Sequence, residues 1–170
     1  QSVRTQGIFG DLMSKELLES PFEQRTVPAA LARTVARVPD RTFITCGEES
    51  LTFRQFDLLT NRFAHFLRSL PIGQGKLAIM VPNSLEFVYG WFGCAKLGTV
   101  FVPINNEYRG DILQYQLAKA DVTHILIDES YLGRLAEVIG SLPQFRAVLV
   151  RGNIAAAGAQ ARQRLPTRAN

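Results

Sequence analysis

A doubly wound α/β fold, with a mostly parallel sheet and helices on both of its faces, is what this sequence predicts, on three observations. Four apolar runs, Leu77–Val81, Thr99–Pro103, Val122–Ile127 and Ala147–Val150, recur along the chain. Each gap between them holds a helical stretch: Ser84–Leu97, Asp111–Ala120 and Tyr131–Ile139. The runs are continuously apolar rather than alternating, as expected of strands buried on both faces of a parallel sheet. Right-handed crossovers should connect them.

The elements ahead of that sheet follow in order. Residues 1–25 mix charge and apolar positions without a lasting period and read as an N-terminal arm or short helix. From Val27 the positions Ala29, Leu31, Ala32, Val35 and Ala36 predict a helix, with Pro28 tolerated in its first turn. Pro39-Asp40 ends it. Thr42–Cys46 reads as a strand, and Gly47-Glu48-Glu49 as the turn into a second strand reaching Leu51. Thr52 and Gln55 have the spacing of a capping box, flanked by Leu51 and Phe56 as a hydrophobic staple. Phe56, Leu59, Phe63, Phe66, Leu67 and Leu70 then form one apolar stripe, which Pro71 and Gly73 stop. The helix after Val81 is nearly all apolar (Phe87, Val88, Tyr89, Trp91, Phe92, Cys94, Ala95) and should be buried on most sides. Gly90 and Gly93, about one turn apart, would let its backbone approach the sheet. Asn83 is the expected cap, with Glu86 in the first turn.

Composition narrows the functional classes. The 170 residues suit one domain with a real core, since domains commonly run to roughly 100–200 residues. At 46% hydrophobic and 20% charged the chain is neither disordered nor membrane-embedded in character. Its longest apolar run, Phe87 to Ala95, is well short of the ~20 residues of a membrane span. The net charge of +4 arises wholly in residues 151–170, where Arg151, Arg162, Arg164 and Arg168 meet no acid. Those residues read as a basic Ala/Gly/Gln-rich tail or linker, leaving 26–150 as the α/β unit without a basic face for nucleic acid. Cys46 and Cys94 are expected to pack as small hydrophobes. Residues 1–25 lack the continuous apolar core of a secretory leader, which favours a cytoplasmic protein. The chain opens on Gln1 rather than Met and is expected to be part of a longer product.

Most motif-like features read as structure. Gly73-Gln74-Gly75-Lys76 resembles a phosphate loop only superficially, because its glycines precede a strand instead of following one and opening a helix. His65 and His124 have no second ligand at metal-binding spacing, and there is no Gly-x-Ser-x-Gly elbow. Glu48-Glu49 and Asp128-Glu129 fall at turns and are expected to be solvated. One loop stands apart. Residues 103–111 follow a buried strand and precede a helix, and ligands of open α/β sheets gather beyond such strand ends. Arg109, just before the helix, could hold an anion with the free amides and the dipole, or it could pair with Glu107 or Asp111.

Three segments carry a family resemblance. Leu51-Thr52-Phe53-Arg54-Gln55-Phe56, Val81-Pro82-Asn83-Ser84-Leu85-Glu86-Phe87 and Ala95 through Asn105 resemble the opening blocks of the adenylate-forming superfamily, in spacing as well as wording. That superfamily includes acyl-CoA synthetases, nonribosomal adenylation domains and luciferases. The likeness runs from about Val27 to Asp128. Asn105 to Asp111 is most similar to acyl-CoA ligases of the carnitine–CoA ligase type.

The resemblance implies a fold, the first part of the larger N-terminal domain of such an enzyme, and a two-step reaction. A carboxylic acid reacts with ATP and Mg²⁺ to give an acyl-adenylate and pyrophosphate, and CoA then displaces AMP. Members use a Ser/Thr/Gly-rich loop ending in Lys, an adenine-binding strand, an acidic ribose ligand and a lysine on a mobile C-terminal domain. None of these is found in the 170 residues, so the chain by itself is expected to be inactive, with no catalytic or metal-binding residue and no tight hold on ATP, Mg²⁺ or CoA. Its expected partners are the remainder of the same enzyme and, through uncovered sheet faces, another copy of itself. In some CoA ligases a basic residue of the loop equivalent to 105–110 contacts the CoA nucleotide. Arg109 is the candidate here, although direct alignment places Glu107 at that point. The alternatives are the N-terminal part of an amino-acid-activating adenylation domain, or a non-catalytic binding module on the same fold.

Overall fold

The computed structural model describes residues 19–73 and 75–152. Most of the stretch expected to form an arm (1–25) and most of that expected to form a tail (151–170) lie outside the described residues. What is described falls into two compact units divided between Arg62 and Phe63.

The first unit opens with a short 3-10 turn, Phe22–Gln24, and helix α1, Val27–Arg37. Thr26 caps α1 by accepting a hydrogen bond from the Ala29 amide at 3.3 Å, and Pro28 sits in the first turn, where a missing N–H costs nothing. Strands β1 (Thr42–Cys46) and β2 (Glu49–Thr52) form the expected antiparallel hairpin, turned by Gly47 at φ +62°. Helix α2, Phe53–Arg68, begins in this unit. Its capping box closes as the sequence predicts. The Gln55 amide donates to Thr52 Oγ1 at 3.2 Å, and the Thr52 amide donates to Gln55 Oε1 at 2.9 Å. The Phe43 ring lies 4.7 Å from those of Phe53 and Phe56, and Phe56 is fully buried. Cys46 is exposed, against expectation: it ends β1, one strand of a two-stranded ribbon.

The second unit is the predicted sheet. Strands β3 (Lys76–Met80), β4 (Val100–Pro103), β5 (His124–Asp128) and β6 (Ala147–Arg151) are all parallel, in the order β4-β3-β5-β6. Helix α3 (Leu85–Leu97) joins β3 to β4, α4 (Gly110–Ala120) joins β4 to β5, and α5 (Leu132–Val138), flanked by 3-10 turns, joins β5 to β6. Alternate residues of β3 enter different cores. Leu77 and Ile79 pack with Leu67 of α2 and Cys94 of α3. Ala78 and Met80 pack with Leu113 and Leu117 of α4 and Leu132 and Leu135 of α5. Helices therefore cover both faces, and β3 is continuously apolar because neither face is wet. Arg151, grouped with the tail on composition, is the last residue of β6.

Two helices differ from expectation in how far they are covered. Phe66, within the predicted stripe of α2, is 46% exposed, because Phe63 and Leu67 already span the buried face. On α3 the glycine face does approach the sheet, with a Cβ on Gly90 falling 3.3 Å from Ile79 Cδ1. The opposite face is open, however, and Trp91 is 46% exposed. A sheet covers one side of a helix, and the described residues supply no further layer beyond it.

Candidate functional site

The strand order fixes where to look. From β3 the chain steps to β4 on one side and then returns across β3 to β5 and β6 on the other. Ligands of such sheets sit beyond the carboxyl ends of the strands, where the direction of winding reverses. An open cleft of about 610 Å³ lies at this end. Val81, Pro82, Asn83 and Phe87 form one wall, residues 103–107 another, and Tyr131 a third.

Each wall is held by local chemistry. Ile104 extends the ladder by donating its amide to the Ile79 carbonyl at 2.9 Å. The chain then turns. Asn105 Oδ1 accepts the Glu107 amide at 2.9 Å and its carbonyl accepts the Tyr108 amide at 3.1 Å. Asn106 points back and donates Nδ2 to the Val81 carbonyl at 2.9 Å, tying the loop after β4 to the end of β3. Its Oδ1 is buried with no hydrogen-bond partner. Asn83, the expected cap of α3, is exposed in the cleft wall, and Ser84 occupies the cap position without a side-chain cap bond. Asn83 lies in the connection itself, one residue ahead of that cap.

Asp128-Glu129 proves to be embedded rather than solvated, because β6 runs beside β5 and delivers a cation. Arg151 Nη1 donates to Asp128 Oδ2 at 2.7 Å, and Arg151 Nη2 lies 3.5 Å from Glu86 Oε2. Asp128 Oδ1 also accepts the Ser130 amide at 3.1 Å and the Ser130 hydroxyl at 2.6 Å. Burial alone would raise the Asp128 pKa, but Ser130 and Arg151 together hold it below the usual carboxylate range. Glu86 is lowered likewise: burial opposes ionisation, and its own backbone amide and the charge of Arg151 outweigh it. Glu129 Oε2 is buried without a partner.

Arg109 is exposed at the cap position of α4, with no side-chain cap bond. Among the described residues it makes no ion pair with Glu107 or Asp111. It does not line the cleft, whereas Glu107 does. The loop thus brings the two aligned candidates to different places. Sequence reasoning missed Asn106, Tyr131 and Arg151. Only topology brings Tyr131 and Arg151 to this end of the sheet, while the side-chain amides of Asn105-Asn106 were a visible signal in the loop.

The rejected features behave as structure. Thr99 Oγ1 donates to the Gly73 carbonyl at 2.9 Å, and Lys76 Nζ donates to the Ala120 carbonyl at 2.9 Å, placing a cation on the last turn of α4. His65 is exposed. His124 is fully buried, its Nδ1 2.8 Å from Thr123 Oγ1, and burial with the nearby Arg146 charge pushes its pKa down. Cys94 is buried and its thiol is pushed up to about 12 by burial. Among the described residues no group of three or more His, Cys, Asp or Glu side chains could hold a metal ion, and no helix is long and apolar enough to cross a membrane.

An open α/β sheet with a polar cleft at its winding reversal defines a class of ligand-binding fold. Within that class the chain belongs to the AMP-binding enzyme family, whose model matches residues 31–167. It is 32% identical over 114 residues to a medium/long-chain-fatty-acid–CoA/3-oxocholest-4-en-26-oate–CoA ligase of Mycobacterium marinum, a match covering 66% of this chain and 21% of the ligase. It is 31% identical over 139 residues to tyrocidine synthase 3 of Brevibacillus parabrevis, covering 76% of this chain and 2% of the synthase. The fold is shared with the anthranilate CoA ligase AuaEII, solved with anthranoyl-AMP, at a TM-score of 0.70 and 21% identity over 85% of this chain and 29% of that one. The chain therefore spans about a fifth of the length of the curated CoA ligases it matches.

Proposed function

We propose that the protein containing this chain is an AMP-forming acyl-CoA ligase, and that residues 26–150 are its first α/β subdomain, framing the ligand-facing end of the sheet. The observation that carries this is the family match across residues 31–167, combined with a cleft at the carboxyl ends of β3 and β4. The reaction is the joining of a carboxylic acid to CoA with conversion of ATP to AMP and pyrophosphate, in the cytoplasm.

The cleft residues do not fit ATP with Mg²⁺. Among the described residues no lysine or arginine lines the cleft, and the one charged lining residue is the acid Glu107, whereas a triphosphate requires cationic groups and a metal. Residues elsewhere in the enzyme must grip the nucleotide, and this chain alone is inactive. Arg109 fits CoA better: it is exposed, free of an ion pair among the described residues, and adjacent to the open amides of α4. Its role is to hold a CoA phosphate beside the first turn of α4.

The test uses the full-length enzyme. Acyl-CoA should form from a carboxylic acid, ATP and CoA. Arg109→Ala should raise the KM for CoA about tenfold while leaving CoA-independent pyrophosphate release unchanged, the pattern of a lost binding contact. An unchanged KM would remove Arg109 from the site, and failure to form any CoA thioester would remove the ligase reading. The match to tyrocidine synthase 3 favours a second reading, activation of an amino acid for transfer to a carrier protein. Thioester formation on a phosphopantetheinyl carrier but not on CoA would select it.

A further inference from the structure

We propose that Arg151 is a positioning residue that clasps two walls of the cleft together, fixing the distance between the first turn of α3 and the turn bearing Tyr131. The two walls come from separate connections, one after β3 and one after β5, and no strand pairing continues beyond the sheet to hold them. Arg151 lies opposite Asp128 in the register of β5 and β6, so its guanidinium emerges at the carboxyl edge between the two walls. One nitrogen, Nη1, takes Asp128 at 2.7 Å, and the other, Nη2, reaches Glu86 at 3.5 Å. Glu86 is the immediate neighbour of the cleft residue Phe87. Asp128, through its second oxygen, caps the 3-10 turn Glu129–Tyr131 that presents Tyr131 to the cleft. A single planar fork therefore joins both walls, which a lysine, a point charge on a flexible stem, would not do.

The position after Arg151 supports a built arrangement. Gly152 has φ +115°, and a Cβ there would lie 2.6 Å from the carboxyl carbon of Glu129. The Glu129 carboxyl is the end of a flexible side chain, so it is the positive φ that calls for glycine where the chain leaves β6. The Arg134 guanidinium lies 4.9 Å from the centre of the Tyr131 ring, so a cation packs on the ring that the capped turn presents.

The inference rests on reading the cleft as ligand-facing, but its test measures the clasp itself and is independent of any activity. The 170-residue chain is labelled with 3-fluorotyrosine, and the Tyr131 resonance is assigned from Tyr131→Phe. In Arg151→Gln, Arg151→Lys and Glu86→Gln the Tyr131 signal should shift by more than its linewidth, while the Tyr108 and Tyr115 signals stay in place. Arg151→Lys retains the charge and should not rescue. Glu86→Gln removes one arm only, so it decides the matter if the Arg151 variants do not fold. A Tyr131 signal unmoved in Glu86→Gln would overturn the proposal, and so would all four tyrosine signals moving alike, since both outcomes describe a cluster that serves general stability.

Discussion

The two ends of the parallel sheet are made by the same strands and are finished differently. At the amino end, Lys76, Thr99 and Gly75 are closed onto the backbone, while the buried His124 Nε2 has no partner among the described residues. Lys76 sits on the last carbonyls of α4, Thr99 bonds the Gly73 carbonyl, and the Gly75 amide donates to Ile72 across a tight turn. At the carboxyl end the connections splay around an open cleft. There Asn106 keeps an unmatched acceptor, and charged side chains supply the cross-links. Backbone closure gives a rigid base, and side-chain closure leaves a surface whose chemistry differs with each loop. Under the proposed function that division puts stability at one end and recognition at the other.

The largest test of this contrast is at the base. A Cβ on Gly75 would lie 2.6 Å from the Ile72 carbonyl oxygen, so Gly75→Ala must open the turn. A loss of about 2–3 kcal/mol is expected from chemical denaturation. At the opposite end Arg109→Glu should change stability by no more than about 0.5 kcal/mol, because the side chain is exposed.

Acid separates the two ends by pH window. His124, at the base, has its pKa below the ordinary 6.5 when folded, so the unfolded chain binds the proton more readily. Its contribution is complete above about 6.5 and declines as the pH falls below it, and His124→Gln should flatten that part of the stability curve. Glu86 and Asp128, at the cleft, are lowered from 4.5 and 3.8. Their contribution is present above those values and is lost as the pH falls through their folded ones. Glu86→Gln should therefore lower stability at all pH values above about 4.5 and flatten the pH dependence of only the more acidic limb. A weaker chemical contrast comes from the thiols. In native protein a thiol reagent should modify Cys46 promptly and leave Cys94 unmodified until unfolding, because Cys94 is buried and its thiol is pushed up to about 12.

The sheet was legible in the sequence because a strand buried on both faces has no polar alternation to confuse, and β3, β5 and β6 fall within or one residue beyond their apolar runs. The capping box of α2 was equally plain, since both partners lie within four residues. The errors have one physical origin. Exposure of Phe66, Trp91 and Cys46 depends on what lies across from each residue, which periodicity along one element does not encode. The site was legible only as far as its loop. Asn105–Glu107 could be singled out because they follow an apolar strand, but Asp128 meets Arg151 at a sequence separation of 23 and through a crossover. An Asp-Glu pair at a turn is ordinarily wet, and here the neighbouring strand supplies the cation that makes it otherwise.

Under the proposed function these residues shape a ligand-facing wall and leave the gripping of polyphosphate to other parts of the enzyme. The most direct measurement incubates the purified 170-residue chain with ATP, Mg²⁺ and a panel of fatty and aromatic carboxylic acids and follows pyrophosphate. No release above the protein-free control is predicted. Release that depends on the acid would contradict it, because the chain would then hold and activate the triphosphate without a cationic cradle.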